Sequence, residues 1–317
     1  MLHSRKSIMG VTAALVLTLL FAACILVTRE EAPPPGLPAE PQAGTRLVHT
    51  VMGVVKVPEK PKRVAVNFLQ GNVLALGVVP VAVSVTDSAA WFKEEVQGIP
   101  VIENWTSPEE VLSYEPDLII TVSQAEYEKL KKVAPVVYIP FTKMSIEETM
   151  VVMGQALGKT EEAKARIDEY HTVIQACKNR LREAGIQDKT ITIIEGDNSM
   201  LRVFGDKFGR GGEVIYHNLG LRAPENIQRE LIASTNKHFH EISLEGLPQY
   251  SGDFIFRSTW AGVKLLDGNP VWDGISAVKA GHVIDMPFGM TFYTDIKSSM
   301  IQAEFFTEEL IKKAQIH

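Results

Sequence analysis

Short apolar runs alternate with amphipathic stretches through the first half of the chain. Runs at Arg63–Asn67, Val78–Val85, Asp117–Val122 and Val136–Pro140 predict four strands. The last two are nearly continuous in apolar residues, which is typical of strands buried on both faces of a parallel sheet. Because helical segments separate these runs, residues 46–142 are predicted to form an α/β lobe of βα repeats.

Two serines that precede a glutamate by three residues predict helix N-termini. Ser107 with Glu110, and Ser145 with Glu148, match the capping box, in which each side chain accepts a hydrogen bond from the backbone N–H of the other residue. Pro108 suits the first turn of a helix. We therefore expect helices to begin directly after Ser107 and Ser145.

A long amphipathic helix is predicted from Thr160 to Ala184. Its apolar positions form one stripe on an otherwise charged helix: Ile167, Tyr170, Ile174, Cys177, Leu181 and Ala184. At 1.5 Å per residue this helix is about 38 Å long. Residues 143–188 are thus expected to connect two lobes through a stiff strut, with Cys177 as a buried thiol.

The alternation of strands and helices returns after residue 188. Four apolar runs predict strands there: Thr190–Ile194, Leu201–Phe204, Asp253–Phe256 and His282–Asp285. A helix is predicted over Glu213–Leu219, and Gly220 is expected to end it. Residues 189–317 are therefore predicted to form a second α/β lobe.

The N-terminal residues differ from the rest of the chain. Residues 1–23 combine a cationic start with an apolar run, which is the pattern of an export signal. The Ala22-Ala23-Cys24 junction resembles a bacterial lipobox and predicts cleavage before Cys24 and a lipid on its thiol. An uncleaved membrane span is the alternative. Residues 24–45 are rich in proline and predict an extended tether that reaches on the order of 50 Å.

Composition narrows the classes of function. The chain has 317 residues, of which 45% are hydrophobic and 22% charged, the balance of a globular protein with a large core. A formal net charge of −6 argues against nucleic-acid binding, and two cysteines exclude a disulfide scaffold. The sequence lacks the signature motifs of hydrolases, zinc peptidases and phosphate-binding loops. An exported enzyme is therefore the least favoured reading.

Aromatic and arginine side chains collect after the predicted strands. In open α/β sheets, ligands bind beyond the carboxyl ends of the strands, so these side chains are candidate ligand-binding residues. They are Phe68 and Trp91 in the first lobe and Arg202, Phe204, Phe208, Arg210, Trp260, Phe292 and Tyr293 in the second. Aromatic faces combined with guanidinium donors suit a bulky ligand that presents anionic oxygens.

Residues Val203–Tyr216 resemble a known signature. It belongs to the lipoprotein receptors for ferric hydroxamate siderophores, the substrate-binding proteins of iron–siderophore ABC importers in Gram-positive bacteria. Four further segments agree in order and spacing: Pro58–Ala65, Glu115–Ile120, Asn269–Trp272 and Gly281–Val283. The resemblance extends over residues 46–317. It implies the class III substrate-binding fold, in which two Rossmann-like lobes are joined by one long rigid helix and the ligand lies between them.

The resemblance also implies roles for individual residues. Arg210 matches a position that donates hydrogen bonds to the iron-bound oxygens, while Phe208 and Phe292 match positions that are often tryptophan. Arg202 stands where tyrosine is usual and is expected to add positive charge, which favours an anionic chelate such as a citrate-hydroxamate. The siderophore itself fills the coordination positions of the iron. Neither a catalytic residue, a cofactor nor a protein ligand to the metal is therefore expected.

Partners follow from the same resemblance. Members of the family dock on their permease through one carboxylate of each lobe, and Glu109 and Glu245 match these positions. The expected protein is a monomer, lipid-anchored on the extracellular face of the cell membrane, that delivers its ligand to an ABC permease with a cytoplasmic ATPase.

Other ligands remain open for the same fold. They are a catecholate siderophore, cobalamin, or haem, for which Met290 and Tyr293 are available as axial ligands. A zinc or manganese receptor is less favoured, because it needs three or four convergent ligands and the eight histidines are scattered along the chain.

Overall fold

The computed structural model describes most of the chain that follows the N-terminal segment. The described residues are 44–196, 200–234, 237–258 and 266–315. The predicted export signal and tether, Cys24 and Trp260 lie outside these ranges. Within them, no helix is both long enough and apolar enough to cross a membrane.

A two-stranded antiparallel hairpin precedes the first lobe, and the apolar pattern did not predict it. Strands β1 (Thr45–Thr50) and β2 (Gly53–Pro58) pair along their whole length. Arg46 of β1 donates from Nε to the carbonyl oxygen of Gln155 and from Nη2 to that of Ala156, each at 2.7 Å. These bonds attach the hairpin to the end of a helix in the middle of the chain.

The first lobe is a four-stranded parallel sheet, as predicted. Its elements are β3 (Val64–Val66), α1 (Gln70–Ala75), β4 (Ala82–Val83), α2 (Pro108–Leu112), β5 (Leu118–Thr121), α3 (Gln124–Leu130) and β6 (Val136–Tyr138). The strand order is β4-β3-β5-β6. The predicted strand Val78–Val85 is reduced to the two residues of β4. Pro80 has no N–H to donate to a ladder, and Val79 is exposed.

The two predicted capping boxes differ in the structure. At Ser145 the hydroxyl accepts from the N–H of Glu148 at 3.1 Å, and the Glu148 carboxylate accepts from the N–H of Ser145 at 2.8 Å. At Ser107 the hydroxyl accepts from the N–H of Glu110 at 3.3 Å, but the Glu110 carboxylate accepts from two N–H groups of the preceding loop instead. The second half of the Ser107 box is therefore wrong, because that loop competes for the carboxylate.

Two consecutive helices connect the lobes, α4 (Ile146–Leu157) and α5 (Thr160–Glu183), after a short 3₁₀ turn at Phe141–Lys143. The predicted stripe of α5 is buried at four positions: Tyr170, Ile174, Cys177 and Leu181. Cys177 is a free, buried thiol, as predicted. Ala184 is exposed at the C-cap, so the stripe ends one turn earlier than predicted.

The second lobe contains a mixed five-stranded sheet. Its strands are β7 (Ile191–Gly196), β8 (Leu201–Phe204), β9 (Phe239–Ile242), β10 (Phe254–Ser258) and β11 (Val283–Met286). The order is β11-β10-β7-β8-β9. Strand β10 is parallel to β7 and β11, whereas β8 is antiparallel to β7 and β9. The sheet therefore reverses direction on the side of β8 and β9.

Short helices and one long C-terminal helix surround this sheet. They are a π-helix (Glu213–Asn218), α6 (Glu225–Ile227) with a following π turn (Gln228–Ile232), a 3₁₀ helix (Leu244–Tyr250), α7 (Pro270–Gly274), α8 (Ser276–Lys279), α9 (Phe288–Phe292) and α10 (Ile296–Ala314). The helix predicted over Glu213–Leu219 is present in its π form, and Gly220 with φ of +72° follows it.

One hydrophobic cluster extends through both lobes. It contains Val64 and Leu118 of the first sheet, Ile191 and Phe254 of the second, and the buried stripe of α5. Helix α10 lies along α5 and also contacts α1 of the first lobe. Because protein interiors are close-packed, the two sheets and the connecting helices resist displacement relative to one another.

A buried aspartate determines where α10 begins. Asp295 is the N-cap, and its Oδ1 accepts from the N–H of Ser298 at 2.9 Å and from the indole Nε1–H of Trp91 at 3.0 Å. Asn72 of α1 accepts from the N–H of Ile296 at 3.1 Å. Burial raises the pKa of the Asp295 carboxyl, while its hydrogen bonds oppose that rise. The cap thereby joins the C-terminal helix to two segments of the first lobe.

Asp295→Ala is expected to lower the free energy of unfolding by about 2–4 kcal/mol. The variant loses a helix cap and leaves the Trp91 N–H without its acceptor. Urea denaturation followed by circular dichroism measures the change. Asp188→Ala, at an exposed ion pair with Arg222, is the control and should change stability by less than about 0.5 kcal/mol. Equal losses in the two variants would contradict the structural role of Asp295.

Candidate functional site

A glycine-rich turn between β8 and the π-helix carries the central side chain of the site. Four consecutive residues of this turn have positive φ: Phe208 (+73°), Gly209 (+77°), Arg210 (+58°) and Gly211 (+77°). Residues other than glycine rarely adopt such φ values, because the Cβ crowds the backbone. The surroundings must therefore hold Phe208 and Arg210 in these conformations.

Close packing under the turn accounts for two of its glycines. A Cβ at Gly209 would lie 2.7 Å from the carbonyl oxygen of Phe292, and a Cβ at Gly211 would lie 2.3 Å from the ring of Phe306. Phe292 belongs to α9 and Phe306 to α10. The turn thus lies directly on these two helices, and a side chain at either glycine would displace it.

Arg210 is buried and makes a two-point ion pair with Glu195 near the end of β7. Its Nε donates to Glu195 Oε2 and its Nη2 to Oε1, both at 2.9 Å. Ser258, at the end of the neighbouring strand β10, donates its hydroxyl to Oε2 at 3.1 Å. Glu195 is 1% exposed and Arg210 8%. Because the pair is shielded from water, each charge depends on the other for compensation.

Four phenylalanine rings surround the Arg210 guanidinium. Its central carbon lies between 5.1 and 5.8 Å from the ring centroids of Phe204, Phe208, Phe288 and Phe292. These separations are in the range of cation–π attraction. Phe204 is buried, whereas 41% of Phe208 is exposed. The structure thus brings four of the predicted binding residues together and adds Phe288.

Arg202 stands beside this pair on the same sheet. It lies opposite Glu195 of β7 and Glu241 of β9 in the strand register. Its Nε and Nη2 both donate to Oε1 of Glu241, at 3.1 and 2.8 Å, and its guanidinium lies 5.1 Å from the ring centroid of Phe239. The positive charge expected from Arg202 is therefore accompanied by a carboxylate. Glu195, Arg202 and Glu241 form a row of alternating charge across three strands.

Phe68 of the first lobe contacts the same aromatic cluster. It follows β3 and has φ of +67°. Its ring centroid lies 5.4 Å from that of Phe292 and 4.8 Å from that of Phe141. Among the described residues, four other than glycine have positive φ, and Phe68, Phe208 and Arg210 are three of them. Unusual backbone conformations therefore concentrate at the predicted binding residues.

Tyr293 and Trp91 make contacts that join the lobes. Tyr293 is 3% exposed, and its hydroxyl oxygen accepts from the N–H of Asp87 at 3.0 Å. Trp91 is partly buried, donates to Asp295, and has the Nζ of Lys297 3.8 Å from its ring centroid. The hydroxyl that could ligate haem is thus already engaged with the first lobe.

A cavity of about 350 Å³ opens beside the glycine-rich turn. One wall is the segment 141–147, which leads into α4, and another includes Thr294 and Gln302. Phe208, Gly209 and Gly211 line the cavity as well, while Arg210 between them is buried among the phenylalanine rings. The cavity thus lies next to the turn that carries Arg210.

Ionisable side chains that the sequence analysis missed line the far side of this cavity. The Glu213 carboxylate accepts from the N–H of Ile146, the first residue of α4, at 3.1 Å. Burial, together with the charges of Glu147 and Asp206, raises the pKa of Glu213 to about 7. Asp206 lies 2.5 Å from Nε2 of His217, and this hydrogen bond raises the pKa of the histidine. No three His, Cys, Asp or Glu side chains within the described ranges are grouped to hold a metal ion.

The two carboxylates matched to permease docking are both on the surface. Glu109 lies in the first turn of α2, and Glu245 lies in the first turn of the 3₁₀ helix of the second lobe. Both are exposed. Each lobe therefore presents one of them to solvent, and their role in docking stays a prediction.

Known proteins resemble the chain over most of its length. A model of the family described as periplasmic binding protein matches residues 70–289. The chain is 34% identical over 270 residues to the iron(3+)-hydroxamate-binding protein FhuD of Bacillus subtilis. The aligned region covers 82% of this chain and 84% of that protein. It is 28% identical over 287 residues to the Fe(3+)-citrate-binding protein YfmC of the same organism, with coverage of 85% and 87%.

A solved structure shows the same fold. It is the crystal structure of a FhuD fold-family protein, a periplasmic binding protein component of a Fep/Fec-like ferrichrome ABC transporter from Bacillus subtilis. The TM-score is 0.73 at 32% sequence identity, and the match covers 83% of this chain and 99% of that one. The similarity therefore includes both lobes.

Glu213→Gln is expected to stabilise the protein at pH 8 by about 2–3 kcal/mol and to leave its stability nearly unchanged at pH 4. The ordinary pKa of the carboxyl is 4.5, so between pH 4.5 and 7 the unfolded chain releases a proton that the folded protein retains. The free energy of unfolding of the wild type therefore falls over this range through Glu213, and glutamine removes that fall while keeping an oxygen for the Ile146 N–H.

Urea denaturation at a series of pH values measures this difference between wild type and variant. Glu183→Gln, at the exposed end of α5, is the matched control and should show no difference that depends on pH. A Glu213→Gln variant whose stability parallels that of the wild type from pH 4 to 8 would show that Glu213 titrates normally.

Proposed function

The chain belongs to the periplasmic binding protein family of substrate-binding proteins, and from that premise we propose that it is a receptor for a ferric siderophore. It holds the siderophore between its lobes and delivers it to an ABC importer. The observation that carries the proposal is one buried guanidinium surrounded by aromatic rings of the second lobe, which a ring of the first lobe joins at its edge. Phe68 of the first lobe contacts Phe292 of the second, and Phe292 faces Arg210.

The proposed binding mode uses the outer surface of the chelate. Glu195 holds Nε and Nη2 of Arg210 and so directs Nη1 toward an iron-bound oxygen. The rings of Phe208 and Phe292 contact the organic backbone of the siderophore, with Trp91, Phe68, Arg202 and Trp260 as further contacts. Phe204 and Tyr293 are buried and support the rings around them. Iron keeps its oxygen ligands from the siderophore throughout. The receptor accordingly needs no catalytic residue, no cofactor and no metal ligand of its own.

We further propose how the receptor is anchored to the membrane and how the permease recognises it. Lipid on Cys24 anchors it to the outer face of the cell membrane, and the proline-rich tether keeps the folded part off the bilayer. Glu109 and Glu245 contact basic side chains of the permease, whose cytoplasmic ATPase drives uptake. Both carboxylates are exposed and stand on separate lobes, which supports this arrangement. The receptor acts as a monomer.

Arg210→Ala is expected to weaken the binding of a ferric trihydroxamate by about tenfold or more, because a charged donor to a buried acceptor contributes roughly 1.5–3 kcal/mol. Arg202→Ala should have a smaller effect, since the charge of Arg202 is shared with Glu241. Quenching of intrinsic tryptophan fluorescence measures both affinities, and circular dichroism checks that each variant is folded. Arg222→Ala, at an exposed ion pair, is the control. Undiminished affinity in Arg210→Ala would remove Arg210 from the site, and a wild type that binds no ferric chelate would refute the function.

Cys24→Ala is expected to abolish the incorporation of labelled palmitate when the full chain is expressed in a Gram-positive host. The Ala22-Ala23-Cys24 junction places the thiol where a lipobox cysteine stands. Autoradiography of the immunoprecipitated protein measures the label, and Cys177→Ala is the matched control because Cys177 is buried. Equal labelling of wild type and Cys24→Ala would contradict the proposed anchor.

A further inference from the structure

The electric charge of the chelate is not determined by the similarities described above, since one relative is named for a hydroxamate and another for citrate. On the basis of the proposed function, we propose that Glu195, assisted by Glu241, makes this receptor discriminate against anionic ferric chelates. The favoured ligand is then an electroneutral complex. Ferric iron with three hydroxamate groups is such a complex, because three negative charges balance the 3+ ion.

The first observation is that both arginines of the site are already paired. Glu195 holds Arg210 through two hydrogen bonds of 2.9 Å, and Glu241 holds Arg202 through two bonds to one oxygen. These four side chains carry two positive and two negative charges. An anionic chelate therefore finds no surplus of positive charge on this sheet.

The second observation is that Glu195 cannot withdraw from its position. It is 1% exposed, lies within strand β7 and also accepts a hydrogen bond from Ser258. If an anionic ligand displaced it from Arg210, the carboxylate would stay buried without a cation, which is strongly unfavourable. If the ligand left the pair intact, its charge would meet Arg210 and Glu195 together, and these two charges cancel. The anion would then lose its hydration without a net opposite charge to replace it.

The third observation concerns the neighbouring cavity. Lys143, Lys207 and His217 line it, but so do three carboxylates: Glu147, Asp206 and Glu213. His217 is paired with Asp206, and when Glu213 is ionised the formal charges of this wall balance. The positive charge that Arg202 was expected to contribute is thus offset within the site, and the preference inferred from it is reversed.

A neutral chelate avoids these costs. Its iron-bound oxygens accept a hydrogen bond from Arg210 without adding net charge beside Glu195, and its organic groups contact the phenylalanine rings. Glu195 acts through Arg210 and not by touching the ligand, so it is a positioning residue that also sets the charge of the site.

The test compares two probes on the same variants. One is the ferric complex of a cyclic trihydroxamate without other ionisable groups, which is neutral, and the other is ferric citrate, which is anionic. The wild type should bind the neutral complex at least tenfold more tightly. In Glu195→Gln the ratio of the two affinities should move toward ferric citrate by about tenfold, since glutamine keeps the shape of the side chain but not its charge. Asp188→Asn removes one negative charge at the opposite end of β7, beyond Ile191, and should leave the ratio unchanged.

Glu241→Gln provides a second, milder variant. Glu241 lies at a partly exposed ion pair, so the protein should remain folded, and the ratio should move in the same direction by a smaller factor. Thermal unfolding establishes whether Glu195→Gln is folded. If it is not, Glu241→Gln decides the matter, and an unchanged ratio there overturns the inference.

The outcomes separate the inference from the proposed function. A wild type that binds neither probe refutes the function. A wild type that binds ferric citrate as tightly as the neutral complex refutes only the inference. Equal weakening of both probes by Glu195→Gln would show a purely structural role for Glu195 and would also refute the inference.

Discussion

Burial of the Arg210 guanidinium constrains every element around it. A charge removed from water must be compensated nearby, and Glu195 supplies the compensation from the end of β7 with Ser258 of β10 behind it. The aromatic rings then exclude water from the pair and give the cation faces to lie against. The glycine-rich turn places Arg210 next to Glu195 by adopting four consecutive positive φ angles. Backbone conformation, strand register and aromatic packing thus satisfy one electrostatic requirement.

The arrangement of the lobes limits how the site can change shape. Helix α10 is the last helix of the second lobe, yet Trp91 and Asn72 of the first lobe bind its N-cap and first turn, and its length lies along α5. Easy hinges are short loops that absorb backbone rotation without disturbing packed cores. Here a rotation between the lobes would disturb a core that contains strands of both sheets. A large rotation between the lobes would therefore expose buried apolar surface and is disfavoured by this packing.

The sequence predicted the parts of the fold that local pattern controls. Helix α5 begins at Thr160 as expected, and the strands of the first sheet are buried and parallel. The hairpin β1–β2 and the short length of β4 escaped prediction, because they depend on pairing partners and on the missing N–H of Pro80. In the site, the glycine-rich signature identified Phe208 and Arg210. The sequence did not identify Glu195 as a site residue. A single acid within an apolar strand is recognised as functional only when its contact with Arg210 is known.

Arg202 and Glu213 also have properties that the sequence alone could not predict. Arg202 was expected to add positive charge to the site, but it is paired with Glu241. Only the register of β8 against β9 brings these two residues together. Glu213 follows two glycines at the start of an apolar helix, which is a recognisable place for an unusual carboxyl, but its pKa depends on burial against α4. Charge compensation is a property of neighbours in space, and neighbours far apart in sequence carry no local pattern.

The backbone of the glycine-rich turn also determines where new ligand specificity can arise. At Phe208 and Arg210 a replacement must tolerate positive φ, which most side chains do poorly and glycine or asparagine do well. Phe204, in a strand, and Phe288 and Phe292, in a helix, face the same guanidinium from regular backbone. Substitutions at Phe288 and Phe292 can therefore reshape the site while the turn stays constant, whereas Phe204 is part of the buried core. The receptor therefore combines a centre that is constrained by its backbone geometry with two partly buried rings that tolerate more change.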